Sequence, residues 1–179
     1  MKNRTIKMNP FIGPETNMFL MRWNPEISDF SIKRMKELSD YLKSDKGCVK
    51  WRWAIRDWQD AETFDLFVML REGADEKAGI ITAGMLYGNP YRGEDWRGSR
   101  KKMHYVDMIS SKISDPDGVP LVSIDELVRR ISDIDWNHGH CGVLMTEEQK
   151  EIMFDIFKEN MPYEWTDDCW DDNFGDEEV

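Results

Sequence analysis

Apolar positions fall along this chain in short runs of distinct period, and their spacing predicts most of its elements. Met18-Phe-Leu-Met-Arg-Trp23 is an apolar run closed by Asn24-Pro25. It is too short for a helix and a proline ends it, which predicts a strand. Ser31 can cap the segment that follows, where Ile32, Met35, Leu38 and Leu42 repeat at i+3 and i+4 up to Gly47. That stripe predicts an amphipathic helix. Trp51-Arg-Trp-Ala-Ile55 alternates, so Trp51, Trp53 and Ile55 share one face of a strand. Phe64 to Leu70 and Ala78 to Tyr87 are continuous apolar runs on either side of a turn near Glu72-Gly73, the pattern of an antiparallel hairpin. Gly79 and Gly84 mark bends or close approaches in the second of them.

From Gly88 to Lys102 the chain is polar, rich in turn residues and more basic than any other stretch, which predicts a loop. Met103 to Ile113 reads as a further strand and Asp115-Pro-Asp-Gly118 as a turn. Two helices have clear starts. Ser123-Ile-Asp-Glu126 and Thr146-Glu-Glu-Gln149 are capping boxes, followed by Leu127, Val128 and Ile131 in one case and by Ile152, Met153, Ile156 and Phe157 in the other. Strands and helices do not alternate, so a doubly wound parallel sheet does not fit. The expected class is α+β, a mostly antiparallel, barrel-like sheet with about three flanking helices.

Composition sharpens this picture in one respect. The net charge of the 179 residues is −11, which opposes binding to phosphate backbones. Eight of the 35 acids, however, lie in residues 163–179, where there is no base; the remainder holds 27 acids against 24 bases. We therefore divide the chain into a flexible leader (1–16), a folded domain (17–161) and an acidic tail (162–179). Cys48, Cys141 and Cys169 are odd in number and far apart, which argues against a disulfide framework. No apolar stretch approaches the ~20 residues that span a bilayer, and Lys2, Arg4 and Lys7 precede no apolar signal core. The expected location is the cytoplasm, with no membrane contact.

Candidate chemistry is sparse. In an extended His138-Gly-His-Cys141 the histidines share a face and the thiol points the other way, so the three do not converge on one metal ion. Nor does His140 serve a Cys141 nucleophile from the adjacent position. Gly139-His-Cys-Gly142 lacks the context of a dinucleotide fingerprint. The expectation is no cofactor, no metal and no catalytic residue. The tryptophans carry more. Trp51 or Trp53 suits a core, whereas Trp23-Asn24, Arg56-Asp-Trp58 and Asp135-Trp-Asn137 set indoles beside polar groups, as stacking and edge recognition of a planar base require, with burial in the core as the equal alternative for these rings.

These segments, in this order, resemble EVE domains of the PUA-like barrel superfamily. Met18 to Pro25 is similar to that family's opening strand, and Trp53-Ala-Ile-Arg-Asp-Trp-Gln59 to its Trp-Gly-Val-Arg-Asn-Tyr segment. Asp65 to Leu70 and Gly79 to Leu86 resemble two of its barrel strands, Asn89-Pro-Tyr91 its bulging loop, and Tyr105-Val-Asp107 its returning strand. The likeness spans residues 18–158, with Phe64-Asp65 in place of Gly-Asp, Trp53-Ala54 in place of Trp-Gly, a longer first helix and a muted basic surface. The resemblance implies a barrel of five or six strands whose pocket accepts a modified base. Its ligand-binding residues would be Trp23, Asn24, Arg56, Trp58, Trp136 and Asn137, with Trp58 and Trp136 flanking the base and Asn24 reading its edge. The implied function is a non-enzymatic module for a modified nucleobase in DNA or RNA. The alternative is an acidic protein-interaction or inhibitor-type protein, and an enzyme built on His138, His140 and Cys141 is the third class.

Overall fold

The computed structural model describes residues 16–44, 47–110 and 112–160. It is an α+β fold in which one curled, mixed sheet forms a half-barrel. The elements run β1 (Met18–Trp23), α1 (Ile32–Ser44), β2 (Val49–Ala54), β3 (Leu66–Arg71), β4 (Gly79–Leu86), β5 (Tyr91–Glu94), β6 (Lys102–Ser110), β7 (Val122–Ser123), α2 (Ile124–Arg130), β8 (Val143–Leu144) and α3 (Glu147–Asn160). The main path of the sheet is β2-β6-β4-β3-β1-β8, with β5 added to β6 and β7 to β4.

Most pairings are antiparallel, and short turns impose this on β3 with β4 and on β5 with β6. The exception is β1 with β3, parallel and in register from Met18 opposite Leu66 to Trp23 opposite Arg71. The long connection that carries α1 and β2 between them makes this geometry possible. Each helix start uses the cap that the sequence offers. Ser31 Oγ accepts from Arg34 N, Ser123 Oγ accepts from Glu126 N, and Thr146 and Gln149 exchange both bonds of a closed capping box.

Alternation along the strands divides the interior in two. Phe19, Met21, Trp23, Phe67, Met69, Val106 and Met108 face the concave side, where Met35 and Leu42 of α1 close the half-barrel. Leu20, Val68, Leu70 and Ile80 face the convex side, packed with Leu127 of α2 and Met153 and Ile156 of α3. Gly84 is one of the close approaches expected from the sequence: a Cβ there would lie 1.9 Å from the Ile109 carbonyl oxygen of the neighbouring strand.

One feature differs from expectation. The basic loop after Gly88 contains a strand, because β5 pairs with β6 from Tyr91 opposite Tyr105 to Glu94 opposite Lys102. Beyond β2 the two ends of the sheet path also meet. Arg56 N donates to Cys141 O and Asp57 N to Gly142 O, while Asp57 Oδ2 accepts from Leu144 N. Gly142 makes that junction possible, since its φ is +72° and a Cβ would lie 2.5 Å from Ile55 Cα. Among the described residues, no helix is long and apolar enough to cross a membrane. The leader and the acidic tail proposed from the sequence lie almost wholly outside the described residues.

Candidate functional site

Where the sheet ends meet, a cleft of about 770 Å³ opens at the mouth of the half-barrel. One wall is β2 and its continuation through Trp58. The opposite wall is the turn after β1 with Phe30 and Arg34, and the tip of the β5–β6 hairpin and residues 139–141 complete the rim. Its charge is the reverse of the chain's. Arg22, Arg34, Lys50, Arg52, Arg56 and Arg97 line it against only two carboxylates, Asp29 and Glu72.

Three of these cations are already engaged. Arg22 is buried against Glu72 at 3.1 Å and also donates to the carbonyls of Asp135 and Trp136. Lys50 pairs with Asp107 at 3.3 Å and Arg97 with Asp95 at 3.1 Å. Arg34, Arg52 and Arg56 have no carboxylate partner among the described residues. Arg34 lies over the Phe30 ring at 5.3 Å and Arg52 over Tyr105 at 5.0 Å, contacts that hold a guanidinium in place and leave its charge unneutralised.

Aromatic rings interleave with these charges. Trp51, Trp53 and Phe30 form a tilted cluster with centroids 5.6–5.7 Å apart. Trp58 stacks on His104 at 4.0 Å with an interplanar angle of 11°, and it is 38% exposed. Trp96 and Arg97 sit on a hairpin tip organised by Asp95. That buried carboxylate accepts from the backbone and side chain of Arg97 and from the Ser99 hydroxyl, while Trp96 N donates to the Tyr105 hydroxyl. Bonds from Arg97, then from Ser99, lower the Asp95 pKa to about 2.

The six residues expected to bind ligand separate here. Asn24, Arg56 and Trp58 line the cleft together. Asn24 Oδ1 accepts from Glu26 N, so its amide N–H₂ is the end left for a ligand. Trp23 does not reach the cleft: it is fully buried in the concave core, its Nε1 donating to Phe30 O at 2.8 Å, and it supports the wall from beneath. Trp136 does not flank the site. It is 2% exposed in the convex core, with Nε1 donating to Ile131 O. The loop that carries it is tied to Arg22 through the carbonyls of Asp135 and Trp136, and its indole packs in the other core. Asn137 is exposed in that loop and is not part of the lining. Phe30, Arg34, Arg52, Trp53, Trp96 and His104 are lining residues that the sequence reading missed. The Lys50-Trp-Arg-Trp53 alternation and the basic Arg92–Lys102 stretch were the available signals.

Cys141 lies at the base of the cleft with its thiol buried, donating to Ala54 O at 3.3 Å and accepting from Arg22 N. Burial pushes its pKa up to about 12, so at neutral pH it stays protonated. His138 and His140 are exposed, and no group of three or more His, Cys, Asp or Glu among the described residues is arranged to hold a metal. Comparison of the chain with protein-family models, with curated proteins and with solved structures returned no match.

Proposed function

We propose that the protein is a non-enzymatic binding module whose cleft takes a planar ligand on an anionic backbone, a modified nucleobase presented by DNA or RNA. The observation that carries this reading is the concentration of three unneutralised arginines and several rings in one cleft of a chain whose net charge is −11. Low-dielectric walls focus such a local field whatever the sign of the distant surface. Rings supply stacking faces, and Arg34, Arg52 and Arg56 supply contacts to phosphate or to a base edge. The resemblance to EVE-like members of the PUA-like superfamily points to the same ligand class. A base drawn out of a duplex costs a few kcal/mol, which stacking on Trp58 and charge contacts must recover.

The test is a fluorescence-anisotropy screen of the full chain against single- and double-stranded oligonucleotides that carry modified bases. Stacking on one ring is worth ~1–3 kcal/mol, so Trp58→Ala should weaken binding roughly ten- to a hundredfold with folding intact. Arg56→Ala should reduce the salt slope of binding by about one. A wild-type chain that binds no oligonucleotide at low salt refutes the reading and favours the protein-partner alternative.

A further inference from the structure

β2 is an end strand of the sheet path, and its outer edge runs along the cleft. Ile55 N donates to His104 O, which turns the backbone of alternate residues toward β6 and leaves the N–H and C=O of Lys50 and Arg52 facing outward. Among the described residues the edge is met further on, where Cys141 and Gly142 bond to Ala54, Arg56 and Asp57. An open strand edge lined by both rings and arginines, with Arg34 on the Phe30 ring and Arg52 and Arg56 alternating with Trp51 and Trp53 along the chain, suits an extended peptide that is acidic and carries aromatic residues.

The chain contains such a peptide. Residues 162–179 hold eight acids and no base, with Tyr163, Trp165, Trp170 and Phe174 among them. They follow closely on α3, which ends at Asn160. Extended, they reach about 60 Å, whereas a folded body of this size is only about 40 Å across. We propose that residues 162–179 occupy the cleft of their own chain along the outer edge of β2. Their carboxylates face Arg34, Arg52 and Arg56, and their rings face Phe30, Trp53 and Trp58. The inference rests on the charge and the open edge of the cleft and not on the nucleobase reading; where both hold, the ligand displaces the segment. Tethering supplies an effective concentration of order mM, so a contact that is weak between separate molecules still fills the cleft in a large share of them. Exposed charges make the contact salt-sensitive.

Cys169 gives a direct test in the full chain. With Cys48→Ser and Cys141 buried, a nitroxide attached at Cys169 should broaden the amide resonances of Lys50–Arg56 and the indole resonances of Trp58 and Trp96 in a nitrogen-15 spectrum. Those peaks should lose more than half their intensity at low salt. The triple charge reversal Arg34→Glu, Arg52→Glu, Arg56→Glu should restore it, with the remaining spectrum reporting that the fold is kept. Cleft peaks that keep their intensity in the labelled chain overturn the proposal, as does broadening that survives the charge reversal. Broadening in a mixture of labelled, isotope-free chain with unlabelled nitrogen-15 chain also overturns it, because the contact is then between copies. None of these outcomes depends on an oligonucleotide, so this inference and the nucleobase reading fail separately.

Discussion

Substituting Trp136 by alanine tests the most consequential difference between a pocket wall and a core residue. The indole is 2% exposed in the convex cluster with Leu127, Ile131 and Met153, and its Nε1–H is bound to Ile131 O at 2.8 Å. Removing a large buried ring costs ~3–5 kcal/mol. The Ile131 carbonyl, left unpaired in the core, adds about 1 kcal/mol or more. A loss of ~4–6 kcal/mol takes most of the stability of a domain whose total is ~5–15 kcal/mol. At about 2–4 °C per kcal/mol for a chain of this size, the melting temperature should fall by roughly 8–24 °C. Trp136→Phe keeps most of the ring and loses only the donor, so it should cost about 1–2 kcal/mol. Trp58→Ala, at the exposed rim, should cost under ~1 kcal/mol. Urea unfolding followed by far-ultraviolet circular dichroism measures all three. If Trp136→Ala unfolds at the wild-type midpoint with an unchanged slope, the ring is not packed as described and the two-core reading of the sheet fails.

Two further predictions concern ionisation. Bonds from Arg97 and Ser99 depress Asp95 from 3.8 to about 2. A carboxyl lowered on folding stabilises above its unfolded value and loses that contribution as pH falls through its folded value, so the tip that bears Trp96 should loosen between about pH 4 and pH 2. Asp95→Asn should abolish this dependence, and a carbon-13 carboxyl titration that places the Asp95 midpoint near its ordinary value would refute it. Burial raises the Cys141 thiol to about 12, so at about pH 8 an alkylating reagent should modify exposed Cys48 and spare Cys141 until the chain unfolds. Peptide mapping that finds native Cys141 alkylated as fast as Cys48 would contradict that.

Periodicity made the elements legible because each local signal had one physical cause. The run Met18–Trp23 could only be a strand, and the boxes at Ser123 and Thr146 could only open helices. What escaped depended on long-range pairing. The parallel contact of β1 with β3 needs residues separated by nearly fifty positions, and no local pattern encodes which strands meet. Strand β5 was hidden by its polarity: Tyr91–Glu94 buries none of its side chains, so it lacks the apolar signature of a strand and owes its form to the ladder with β6. Edge strands of this kind are where polar residues belong.

The site was half legible for a related reason. Asn24, Arg56 and Trp58 follow strand ends directly, and strand ends gather at the mouth of a half-barrel, so sequence position alone brought them together. Trp23 and Trp136 had equally polar neighbours, yet alternation along β1 places Trp23 beneath the cleft, while the loop that carries Trp136 buries its indole in the other core. Net charge hid the sign of the cleft in the same way. A value of −11 averages over the whole surface, whereas binding responds to the field within about 10 Å, roughly the Debye length at 0.1 M salt. Among the residues that line the cleft the balance is six cations to two carboxylates. The acidity of residues 163–179 and the basicity of the cleft are then two halves of one distribution. A chain that carries both must either hold them apart by geometry or let them meet, and a tether of order mM in effective concentration favours their meeting.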